Sequence, residues 1–456
     1  MAETISLEPG EVGSAQAAGG RVCSVCGRGR QDSVSIDTLD EELRAIIAAN
    51  APSGRVLSQV CPRCVELFRR AQVQLHSDAV VFEQGGRVLP TYLRMGADPR
   101  FAGRGVTIAF LDSGFYAHPD LTTPQNRILA YHSIVPQDPS SLETPDVASW
   151  HGMMTSVVAA GNGSLSQGFY RGIAPEANVV LVKLAKTGRI SEANIRDGLE
   201  WVLAHRDEYK IRVVNISAGG DYEQSYLHNE LSQTVERAVG EGLTVVCAVG
   251  NAGTAPGHPV LPPASSPSVI AVGGLDDQNS LDRARRGMYR SSYGPTPDGL
   301  QKPEIIAPGI WIAAPILPHT PTAAEAELYA KLDRAADAEL KPMIEAHSDV
   351  DRDLTGSLDL PVPLLRHLIS IKLHEADVIS ESYKYVDGTS FSAPIVSSIA
   401  ACMLEANPEL TPQQIKRILI DTSERLPGIE IDRQGWGVVN AGRAVEVALA
   451  LRPVAT

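Results

Sequence analysis

The sequence predicts an α/β domain in which a mainly parallel, doubly wound sheet carries helices on both faces. Three observations lead there. Apolar, β-rich runs at 106–111, 213–216 and 243–249 are strand-length and do not alternate, as strands buried on both faces do not. Each run stops at a carboxylate, a serine or a glycine-flanked asparagine, at the strand ends where α/β folds place their chemistry. Two stretches of small and apolar residues, 151–161 and 390–401, read as helices packed closely in an interior.

In chain order, residues 1–84 stand apart as a tail and a small module. Cys23-Ser-Val-Cys26 and Cys61-Pro-Arg-Cys64 are two Cys-x-x-Cys turns. Four thiolates form a closed tetrahedral zinc site with no open position for water, hence a structural one. The spacer, 27–60, is longer than the usual run of about 15–20 residues between such pairs. Two disulfides or a redox pair are the other uses of the motif. The first residues, Met-Ala-Glu-Thr-Ile-Ser-Leu-Glu-Pro-Gly, lack the basic and apolar segments of an export signal. The expectation is therefore a cytoplasmic setting with reduced thiols and zinc. A helix is predicted over 40–51 inside the spacer and another over 65–75 after it. Residues 85–89 read as a linker to the main domain, 85–456. Calcium is not expected, since no run of carboxylates suits it; Asp276-Asp277 reads as a solvated loop. Cys247 and Cys402 lie in apolar runs and read as core residues.

The chemistry concentrates in three segments. The run Val106-Thr-Ile-Ala-Phe-Leu111 ends on Asp112-Ser113-Gly114. Trp150-His151-Gly152 opens the first small-residue helix. Gly388-Thr-Ser390-Phe-Ser-Ala-Pro394 opens the second, which puts the Ser390 hydroxyl at a helix N-terminus, where free N–H groups favour developing negative charge. Singly, these are a turn aspartate and two capping residues. Together they supply an orienting carboxylate, a general base and a nucleophile.

At this level of detail the chain resembles the subtilisin-type serine proteases, the subtilases. The likeness rests on Asp112-Ser-Gly-x-x-x-His-Pro-Asp-Leu121 and on Gly388 to Pro394, and it covers about 92–312 and 382–450. The order Asp, His, Ser is also theirs. The resemblance implies a subtilisin-like fold and peptide hydrolysis through an acyl-enzyme, with Asp112, His151 and Ser390 as the triad. Asn251, in Val249-Gly-Asn-Ala-Gly253, is similar to the family asparagine that donates to the oxyanion. Ser217, Ala218 and Gly219 follow a strand similar to the one that binds substrate backbone by edge-strand addition. Where family members often carry a second histidine, this chain has Met154. A peptide ligase or macrocyclase would use the same residues with an amine in place of water, and an inactive peptide-binding scaffold would keep only the fold.

Between Ala314 and Ser382 the chain is longer than the resemblance requires, which marks an insertion at about 317–381. Ala323 to Ala335 and Val362 to Glu375 read as its helices, the second amphipathic through Leu364, Leu365, Leu368 and Leu373. His347, His367 and His374 read as solvated helix residues. Entering the chain just before Ser390, the insertion belongs at the rim of the site, as a lid, a specificity element or an oligomer contact.

Composition fits an enzyme. Of 456 residues, 43% are hydrophobic and 21% charged, enough for a sizeable core. A net charge of −14 argues against a nucleic-acid partner. No uncharged apolar run reaches about 18 residues, so no membrane span is expected. The expected partners are a protein or peptide substrate and, through the zinc module, a regulatory protein.

Overall fold

The computed structural model describes residues 21–25, 29–30, 33–50, 56–62, 64–65, 68–69, 88–138, 141–185 and 189–453. Its central sheet has eight strands: β1 (Thr107–Asp112), β2 (Ile128–Ser133), β3 (Asn178–Lys183), β4 (Ile211–Ile216), β5 (Thr244–Ala248), β6 (Ile270–Asp276), β7 (Gly287–Met288) and β8 (Ile305–Pro308). They lie in the order β7-β6-β5-β4-β1-β3-β2, with β8 also paired to β6. Only the short edge strand β7 runs antiparallel. β1, the first strand in the chain, sits between β3 and β4. The connections leave it in both directions, and a crevice opens at the carboxyl end of such a strand. Asp112 is its last residue.

Both faces are covered. On one, the helix Thr389–Ala406 runs through the core with nearly every side chain buried, as expected for a helix that is apolar or small all round. It is the one helix among the described residues with the length and apolarity of a membrane span, and it is 89% buried. Ser149–Ala160 and Ala441–Ala450 join it in the same cluster. The other face carries Glu192–His205 and Glu230–Gly240, which bury Leu199 and Val235 against β1, β3 and β4. Ser191 and Asn229 cap these helices by accepting the Asn194 and Ser232 N–H groups, which satisfies donors the first turn leaves open.

Among its described residues the N-terminal module has two short antiparallel strand pairs, Arg21–Val22 with Gly29–Arg30 and Val34–Ser35 with Gln59–Val60. Between the strands of the second pair is a helix, Glu41–Asn50, started by the Asp40 carboxylate accepting from Leu43 N–H at 2.8 Å. Of the helix read over 65–75, positions 65, 68 and 69 are helical and the rest lie outside the described residues. The module's core joins the main domain: Phe68 meets Phe169 edge to face at 6.2 Å. Of the linker expected at 85–89, residues 85–87 lie outside the described residues. Leu89 is buried and its N–H donates to Asn279 Oδ1 at 2.7 Å.

Two strands, Ile312–Pro315 and Tyr383–Val386, pair antiparallel and bracket the insertion. Inside it are helices Pro321–Arg334, Asp337–Ala346, Arg352–Thr355 and Val362–Glu375, with a core of their own around Leu332, Leu340, Leu354 and Leu365. Leu364, counted on the apolar stripe, is 53% exposed, and Ile369 is the inward residue a turn after Leu365. Asp277 is not a solvated loop residue either. Arg94 grips it from two nitrogens at 2.7 and 2.8 Å, and both side chains are buried. Charges removed from water in this way must be paired.

Candidate active site

Asp112 ends β1 with 1% exposure. Its Oδ1 takes the Ser113 N–H at 2.7 Å and meets His151 Nδ1 at 2.7 Å; its Oδ2 accepts from Thr155 Oγ1 at 3.0 Å. His151 and Thr155 sit one turn apart on Ser149–Ala160, so one helix face presents both to the carboxylate. The helix can approach this closely because position 152 is glycine: a Cβ there would lie 2.2 Å from the Gly114 carbonyl oxygen and 2.9 Å from Asp112 Cβ. Its start is held by Asp146, which accepts from Ala148 N–H and Ser149 Oγ and is bound by the buried Lys183 at 2.6 Å. Thr155, Ser113 and the Lys183–Asp146 pair were not identified from sequence. The register that sets Lys183 beside Asp112 exists only in the folded sheet.

With Nδ1 committed to the carboxylate, Nε2 is the nitrogen His151 has left for another partner. Burial lowers the His151 pKa and is the largest single influence, but the charge and hydrogen bond of Asp112 together outweigh it and leave it raised.

Ser390 lies in the first turn of the core helix, after Gly388, whose φ of +132° is a backbone state that side-chain-bearing residues rarely adopt. The Ser390 hydroxyl donates to the Ser217 carbonyl at 3.5 Å, and Ser217 Oγ donates back to the Ser390 carbonyl at 2.9 Å. No hydrogen bond joins Ser390 Oγ to His151 in this resting geometry; catalytic hydrogen bonds commonly tighten only with substrate bound. Asn251 Oδ1 accepts from Thr389 N–H at 2.9 Å and Thr389 Oγ1 at 3.0 Å. Two donors mark that atom as the oxygen, so the amide nitrogen faces outward as a donor. Thr389, which sequence reasoning passed over, thus fixes the asparagine to the turn that carries Ser390.

Ser217, Ala218 and Gly219 leave β4 and line one wall of a cavity of about 270 Å³; Gly250, Asn251 and Ala252 line another, with Leu261 and Ser390 completing it. Met154, at the position where a second histidine was weighed, is buried and lines a different cavity. His347, His367 and His374 lie on or beside the insertion's helices, away from both cavities.

In the N-terminal module the ligand atoms of Cys23, Cys61 and Cys64, all buried, lie within 4.8 Å of one another. Cys61 N–H points at Cys23 Sγ, 3.3 Å away. A tetrahedral thiolate shell with bonds of about 2.3 Å sets its sulfurs about 3.8 Å apart, so the three are close enough to bind one metal ion. Cys26, the fourth predicted ligand, lies outside the described residues. Cys247 and Cys402 are buried elsewhere, and burial pushes both thiols well above their ordinary range.

The sequence pattern of the peptidase S8 subtilase family matches residues 103–437. The chain belongs to the subtilase family. Serine protease AprX of Bacillus subtilis is 31% identical over 352 residues, which cover 75% of this subtilase and 66% of AprX. The chain thus spans just under two thirds of that relative's length. Subtilisin Savinase of Lederbergia lenta is 26% identical over 344 residues, covering 91% of its own length. Among solved structures, one of proteases from Pseudoalteromonas arctica PAMC 21717 superposes with a TM-score of 0.51 at 20% identity, over 83% of this chain and 97% of that one. That last likeness speaks to the fold: a mainly parallel sheet with helices around it.

Proposed function

We propose that this subtilase is a serine endopeptidase that cleaves protein or peptide substrates through an acyl-enzyme. The observation that carries this is the Asp112–His151 bond at 2.7 Å, together with a helix N-terminal serine that lines one cavity with Asn251. In the proposed cycle His151 Nε2 takes the Ser390 proton, Oγ attacks the peptide carbonyl, and the imidazolium is stabilised by Asp112. The Asn251 amide and a backbone N–H at the start of the core helix receive the oxyanion, where one donor is worth about 3–4 kcal/mol of transition-state stabilisation. His151 then returns the proton to the leaving amine, and water releases the acyl group. Ser217 to Gly219 bind the acyl-side backbone.

The three clustered cysteines, with Cys26, are proposed to hold a structural zinc, since soft thiolates with no open position suit that ion. A reducing, cytoplasmic location follows from the same chemistry, because ligand thiolates must stay reduced. The zinc module is the proposed docking surface for a regulatory or substrate protein.

Ser390→Ala should abolish labelling by a fluorophosphonate probe together with peptide cleavage. Equal labelling of the variant and the unaltered chain would exclude Ser390 as the nucleophile.

A further inference from the structure

A second cavity, of about 540 Å³, opens beside the catalytic pair and shares no lining residue with the first. Trp150 and Phe391, the chain neighbours of His151 and Ser390, line its side next to the imidazole. Their rings pack against the His151 imidazole, Trp150 edge-on at 5.2 Å and Phe391 tilted at 5.8 Å. Its outer wall belongs to the insertion and the strand that returns from it: Ile316, Leu317, Thr322 and Tyr385. This volume accommodates one or two side chains.

Chemistry decides which part of a substrate reaches it. Asn251 holds the oxyanion beside the first cavity, so the acyl portion lies there. His151 must protonate the departing amine, so the peptide downstream of the cut leaves past the imidazole, between Trp150 and Phe391. We propose that the insertion builds a subsite for a bulky apolar side chain, aliphatic or aromatic, within the first two residues downstream of the cleaved bond. This rests on the serine endopeptidase reading above. The charged groups at the rim are already matched: Lys384 lies 3.9 Å from Asp377, and Asp387 accepts from Tyr289 Oη at 2.7 Å and from Arg290 at 3.2 Å. A charged substrate side chain would lose water there without gaining a free partner, whereas an apolar one gains burial. Trp150, 45% exposed at the mouth, becomes covered when the site is filled.

Partitioning of the acyl-enzyme isolates this site. The chain is acylated with a peptide ester, which has no residue downstream, and amines then compete with water. The amine nitrogen attacks the acyl carbon, the C–N bond forms, the C–Oγ bond to Ser390 breaks, and the amine's proton passes through His151 to Oγ. The products are an amide and the free Ser390 hydroxyl. Because the ratio of amide to acid is set after acylation, it does not depend on how much enzyme is active. Leucinamide and phenylalaninamide should capture the acyl group at least about tenfold more efficiently than glycinamide or the α-amide of aspartate. Thr322→Trp, on an exposed wall position, should shrink that advantage for phenylalaninamide. Equal capture of all four amines by the unaltered chain would overturn the subsite while leaving the protease reading intact. Absence of ester turnover would overturn the protease reading and the subsite with it.

Discussion

Asp112→Asn is expected to lower kcat by on the order of 10⁴-fold, the size seen when the orienting carboxylate of a serine-protease triad becomes an amide and the imidazole is held in the wrong tautomer. On the proposed mechanism the loss has two sources. The neutral amide no longer stabilises the imidazolium that forms as Ser390 attacks, and it can present an N–H to His151 Nδ1 where the carboxylate oxygen now sits at 2.7 Å. The pH profile adds an independent readout. His151 acts as a base only when neutral, so activity rises with pH through its pKa. That pKa is raised: burial alone would lower it, and the Asp112 charge and hydrogen bond reverse the sign. In the unaltered chain the acid limb of kcat/KM should therefore lie above the ordinary histidine value of 6.5. In Asp112→Asn the residual activity should show that limb displaced to lower pH, because burial then acts unopposed. A limb that does not move would mean that the carboxylate does not govern His151.

Loss of the metal should be as large an effect on structure as loss of Asp112 is on rate. Structural zinc binds small cysteine modules with an apparent free energy of about 10–16 kcal/mol, comparable with the whole stability of a folded domain. The module's apolar core is small: among the described residues it contributes ten buried side chains, Leu43, Ile47 and Phe68 among them. Elemental analysis of protein purified under reducing conditions without chelator should return about one zinc per chain. Chelation, or Cys61→Ser, should then abolish hydrogen-exchange protection of the helix Glu41–Asn50 while the strands β1 to β6 keep theirs. Protein with no zinc and a protected module would remove the metal from the account.

Much of this molecule is legible locally. The strand ending on Asp112, the helix opening at His151 and the helix opening at Ser390 fall within a residue or two of their predicted places, because each is a continuous apolar or small-residue run with one polar break. The module helix and the last insertion helix, Val362–Glu375, are equally readable from periodicity and flanking residues. What escapes the sequence is pairing across the fold. Thr155 is an ordinary helix threonine until its helix crosses β1, and Thr389 is an ordinary turn residue until Asn251 lies opposite. Asp277 looks solvated because its partner, Arg94, is distant in the chain. Leu364 misleads because amphipathic spacing defines a stripe about two residues wide, and the neighbouring helices, not the spacing, choose its centre. The helix Asp337–Ala346 went unread for a related reason: Pro342 lies inside it, and proline ordinarily argues against a helix interior. The second cavity has no sequence signature at all, since its walls come from three separate segments that meet only once the insertion folds back on the strand leading to Ser390.

The central claim is that Ser390 carries the acyl group. Rapid acid quenching during turnover of a chromogenic peptide ester, followed by mass spectrometry of the digested chain, tests it most directly. The account predicts a burst of one product per active chain and a single acyl adduct on the peptide containing Ser390. Turnover with no burst and no adduct, or an adduct on any other residue, would contradict it.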